Sequence, residues 1–102
     1  MTTYYIERKT NEALIEVKGH AGMGTSGHDI VCAAISMACQ MTANLIDKLD
    51  LRYNILDLVC EEGYFRLQVK TDNHVVLGIF DNLEEHLIEL HSQYPKYLKM
   101  KK

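Results

Sequence analysis

The sequence predicts an α+β fold of two layers, an antiparallel four-stranded sheet with two helices in the order ββαββα. Three observations carry this. Three short runs alternate apolar and polar residues with the period of two that marks half-buried strands, and a fourth, 53–60, reads as the partner of the last across a short turn. They come in two pairs, each joined by a turn too short for a crossover, which implies antiparallel hairpins. Two longer stretches repeat apolar residues at three and four, the signature of one-sided helices. Of the 102 residues 47% are hydrophobic, 25% are charged and one is proline, so the chain can bury a core and does not read as disordered. Residues 1–102 are too few for two cores and are read as a single domain.

In the first pair, Tyr4, Ile6 and Arg8 alternate with Tyr5 and Glu7, while Ala13, Ile15 and Val17 alternate with Leu14, Glu16 and Lys18. These place strands over 3–8 and 12–18, with Lys9, Thr10 and Asn11 as the turn. The first helix begins at Ile30, with Asp29 as its N-cap. Its apolar positions Ile30, Ala34, Met37, Ala38, Met41, Leu45 and Leu49 define the face expected to be buried.

The second strand pair covers 53–60 and 64–70 around a turn at Glu61, Glu62 and Gly63, with Phe65, Leu67 and Val69 facing the core. Thr71, Asp72 and Asn73 offer caps for the last helix, whose stripe is Val76, Phe80, Leu83, Leu87 and Leu90. Pro95 ends that helix or lies just past its end. His74, His86 and His91 read as surface or capping residues. Lys96, Lys99, Lys101 and Lys102 read as a solvated tail.

The chemistry concentrates between Gly19 and Ser36, in GHAGMGTSGHDIVCAAIS. His20 follows the second strand and Cys32 falls in the expected first helical turn. Unpaired N–H groups and the positive end of the helix dipole there favour a thiolate, the nucleophilic form of cysteine. The intervening chain can fold back and bring the His20 imidazole to the helix start as a base. Gly22, Gly24 and Gly27 supply backbone freedom in the loop 22–27, which with Gly19 and Ser26 is expected to line a cleft beside Cys32 and to close over a substrate. The loop lacks the spacing of a phosphate-binding loop.

This stretch resembles the ribosomal-processing cysteine protease family, Prp. Gly19, His20, Ala21, Gly27, Asp29, Ile30, Val31, Cys32, Ala33, Ala34 and Ser36 fall where that family's motif has them, with chain length and element order in agreement. The resemblance implies His20 as base and Cys32 as nucleophile. It implies as substrate a large-subunit ribosomal protein bearing a short N-terminal extension, and it suggests a homodimer. The segment Met23 to Ser26 departs from the family pattern, so the substrate could instead be another precursor, such as a phage structural protein.

Other readings follow from the same residues. Asp29 caps the helix or also orients His20, and His28 is a rival base four positions before Cys32. His20, His28, Cys32 and Cys39 could in number hold a metal, yet their spacing matches no known ligand pattern, so no metal or other cofactor is expected. Cys39 reads as a core thiol and Cys60 as structural. A noncatalytic ribosome-associated binding module is the remaining class. A net charge of −3 gives no general attraction to nucleic acid. Three cysteines without paired spacing fit a reducing compartment. The opening MTTYYIERKT lacks a signal-peptide core and no span-length apolar run stands out, so a cytoplasmic location off the membrane is expected.

Overall fold

The computed structural model describes residues 2–19 and 26–101, of which 26–29 by their backbone alone. The elements are β1 (Thr2–Arg8), β2 (Glu12–Lys18), α1 (Ser26–Lys48), a short 3-10 turn (Arg52–Asn54), β3 (Ile55–Glu61), β4 (Tyr64–Lys70), α2 (His74–Gln93) and β5 (Leu98–Met100). Both expected hairpins and both helices are present. The sheet itself differs from expectation: it has five strands in the order β3-β4-β2-β1-β5 and is mixed, not antiparallel and four-stranded.

The difference lies in the C-terminal segment, where β5 pairs parallel to β1 with Leu98 opposite Thr2 and Met100 opposite Tyr4. The lysines around it suggest a solvated tail, yet Leu98 is fully buried. Burying such a side chain contributes about 1.5–3 kcal/mol. The backbone bonds Thr2 N–H to Tyr97 C=O at 3.1 Å and Lys101 N–H to Tyr4 C=O at 2.7 Å complete the pairing.

The core lies between one sheet face and the helices. Tyr4, Ala13, Ile15, Val17, Phe65, Leu67 and Val69 come from the sheet, and Val76, Phe80, Leu83 and Leu87 from α2, as their spacing predicts. Asn73 caps α2, its side chain accepting from the N–H groups of Val75 and Val76. His91 is half-buried, not a plain surface residue: its Nδ1 lies 2.9 Å from the Tyr4 hydroxyl.

Two expectations about α1 are overturned. The helix starts at Ser26, so Asp29 lies inside it and is not the N-cap, and Cys32 sits in the second turn. The buried face is Val31, Ile35, Cys39, Thr42 and Ile46, whereas Ile30, Met37, Met41, Leu45 and Leu49 are exposed. Both sets are spaced at three and four, because α1 is apolar nearly all round; periodicity alone could not choose between them. The β-branched Val31, Ile35 and Ile46 face the sheet. Over Ile30–Lys48 the helix has the length and mean hydropathy (1.4) of a membrane span, contrary to the expectation from the sequence, and 28% of it is buried. Length and composition alone support that reading, and the packed face shows α1 also serving as a core helix.

Candidate active site

The site forms where four chain segments meet at one end of the sheet. β2 ends there, and the Gly19 N–H donates to the Gly63 carbonyl at 3.0 Å, tying the end of β2 to the β3–β4 turn. Both glycines take positive φ, 154° at Gly19 and 77° at Gly63, a region that side chains disfavour. A side chain at either position would strain this backbone.

Cys32, half-buried, projects from α1 into this corner. Its Sγ lies 3.7 Å from the Oγ1 of Thr2, the first residue of β1. Thr2 is itself buried, held by its N–H bond to Tyr97 and its pairing with β5. The strand absent from the expected fold thus positions a hydroxyl on the candidate nucleophile.

Thr2 and Cys32 share a cavity of about 180 Å³ with Gly19 and Val17 of β2, with Ile35, Ser36 and Cys39 of α1, and with the β3–β4 hairpin from Cys60 to Phe65. The volume is similar to that of an apolar cavity that accepts benzene, so it suits one large apolar side chain. Val17, Ile35, Cys39 and Phe65 make the buried wall, and Glu61 and Glu62 are exposed beside it. All three cysteines of the chain line it. Burial, with Cys60 nearby adding, pushes the Cys39 thiol up to about 12, so Cys39 stays protonated as expected of a core thiol.

The second-turn position of Cys32 changes its electrostatics. Dipole effects fade beyond the first turn, and its own N–H falls after the four that a helix leaves unpaired. A developing oxyanion must then be met by other donors. The N–H groups at the start of a helix are the unpaired ones, and side chains on a helix lean toward its N-terminus.

His20, Gly22 and Gly24 lie outside the described residues, as do the side chains of Ser26, His28 and Asp29. The described structure therefore places Cys32 and Gly19 at the cavity without placing the histidine. Among the described residues no three His, Cys, Asp or Glu side chains converge as a metal site would need. The sequence reading missed Thr2, which carries no motif. It also missed that Cys60 stands at the cavity, though alternation along β3 could have aligned it with Leu58.

A comparison with protein families finds that the profile described as "Cysteine protease Prp" matches residues 1–99. Curated proteins show no match. Among solved structures, the chain is similar to SMU.848 from Streptococcus mutans, at 22% identity and TM-score 0.77, covering 99% of this chain and 92% of that one. It is similar to the essential ribosomal processing protease Prp from S. aureus in complex with a substrate peptide, at 23% identity and TM-score 0.79, covering 99% and 98%. The same S. aureus protease with a covalently linked product peptide gives 25% identity and TM-score 0.73, with the same coverage.

Proposed function

The chain belongs to the cysteine protease Prp family, and from that premise we propose that it is an endopeptidase that removes the short N-terminal extension of a large-subunit ribosomal protein. The observation that carries this reading is Cys32, which lines an apolar cavity at the end of β2 together with Gly19, the residue that precedes His20 in the sequence. An extended peptide ending in a bulky apolar residue would fill the cavity and lay its carbonyl against Sγ.

His20 takes the thiol proton and the Cys32 thiolate attacks the scissile carbonyl. First-turn N–H groups of α1 hold the oxyanion, replacing the Cys32 N–H that the helix itself engages. His20 returns the proton to the leaving amine, and water clears the thioester. The Thr2 hydroxyl fixes the position of Sγ. Asp29, inside the helix, is a candidate to orient His20. Gly19, Gly22, Gly24, Ser26 and Gly27 border the substrate.

The reading includes a single protease domain and a homodimer. The exposed stripe of α1 supports the dimer: Ile30, Met37, Met41, Leu45 and Leu49 are each 44% or more exposed, along about 30 Å of helix. An antiparallel twofold pairing that sets Ile30 against Leu49 also sets Ala34 against Leu45 and Met37 near Met41, as an isologous interface requires. Such a dimer would cover the surface that resembles a membrane span and fits a cytoplasmic protein.

Alkylation mapped by peptide mass spectrometry tests the site. Iodoacetamide near neutral pH should modify Cys32 well before Cys60, although Cys60 is the more exposed, and the extension peptide should protect Cys32. Loss of the preference in His20→Ala, and its retention in His28→Ala, is expected. A reactivity order that follows exposure alone would count against a catalytic thiol.

A further inference from the structure

We propose that the outer edge of β3 receives the substrate as an added strand, which feeds the scissile bond to Cys32. This rests on the protease reading and names how that site would bind its peptide. The two edges of the sheet are built differently. β5 has three residues and Lys99 at its centre, the short and charged form that discourages pairing. β3 has seven residues, ILDLVCE, with no lysine, arginine or proline, and among the described residues no strand pairs with its outer edge.

The position of β3 selects the occupant. Its last residues, Cys60 and Glu61, line the cavity that holds Cys32, so a strand laid along β3 continues directly into the site. The one irregularity in its pairing falls between Ile55 and Asp57, at the far end, which leaves Asp57 to Glu61 regular beside the cavity. Those five residues span about 16 Å. Leu58 and Cys60 are opposite Leu67 and Phe65 and share their face of the sheet, yet both are exposed because this edge extends beyond the helical cover. An extended peptide paired there would form backbone hydrogen bonds regardless of sequence, with alternate apolar side chains beside Leu58 and over the cavity.

A backbone N-methyl scan of the extension peptide reads this directly, with Kd measured on Cys32→Ser protein and cleavage on the unmodified protein. Strand addition predicts a period of two: roughly three- to tenfold weaker binding at alternate positions and little change between them. Leu58→Lys should raise KM while kcat stays within about twofold. Cleavage with a flat scan, or with loss confined to the scissile bond, would overturn strand addition and leave the protease standing. A period-two binding scan without cleavage would do the reverse. Absence of peptide binding, or a dimer that Leu58→Lys converts to monomer, would assign the edge to nothing or to a second copy and overturn the proposal.

Discussion

Thr2 and Cys32, thirty positions apart, bring a hydroxyl and a thiol to 3.7 Å, and β5 is what holds the threonine there. Thr2→Val keeps the shape and removes the hydroxyl. Turnover should fall about three- to tenfold with the fold retained, because one neutral hydrogen bond is at stake. Steady-state kinetics beside a thermal melt separate the two effects; unchanged kcat would reduce Thr2 to packing.

On the outer face of the sheet, Glu16 accepts from the Tyr64 hydroxyl at 2.7 Å, while Arg66 bonds Asp57 at 2.8 Å and lies 3.4 Å from Glu16. The Tyr64 bond, with Lys18 and Arg66 adding, holds the Glu16 carboxyl below the usual carboxylate range. A lowered folded value means that this stability is present above the unfolded value and is lost as pH falls through the folded one. Tyr64→Phe should therefore cost about 1 kcal/mol at pH 7 and much less at pH 3 by urea unfolding. An equal cost at both pH values would contradict the linkage.

Cys39 gives the opposite sign at high pH. Its folded thiol is raised from 9.0 to about 12, so unfolding releases a proton in that window and stability should decline as pH rises from 9 toward 12. Cys39→Ala should flatten part of that decline, whatever it costs at pH 7. An identical alkaline slope in both proteins would show that other groups set it.

If the α1 stripe joins two copies, Met41→Glu places two like charges near a twofold axis. Sedimentation should then show a shift from dimer to monomer at micromolar concentration, with the circular dichroism unchanged because Met41 is 63% exposed. A wild-type monomer, or a dimer indifferent to the change, would move the interface elsewhere.

β1, β2, β4 and α2 were legible because each has one wet face, so alternation and the three-and-four spacing had a single solution, while β3 was legible through its short turn to β4. α1 was legible as a helix but not in its rotation: Val31, Ile35 and Ile46 compete with Ile30, Met41 and Leu45 on equal spacing, and only the sheet decides. Its start was misplaced because Asp29 has the chemistry of a cap, while the helix runs back to Ser26. β5 escaped because three residues among lysines carry no periodicity, and its pairing is parallel and non-local. Thr2 was lost with it. Cys32 and Gly19 were legible from the motif, and both stand at the cavity.

The most direct test of the account is intact-mass analysis of the N-terminally extended ribosomal protein from the same source after incubation with this protein, with Cys32→Ser or with His20→Ala. One defined cut that removes the extension, made by the unmodified protein and by neither variant, is the predicted result. An uncut substrate, or cleavage that survives Cys32→Ser, would contradict it.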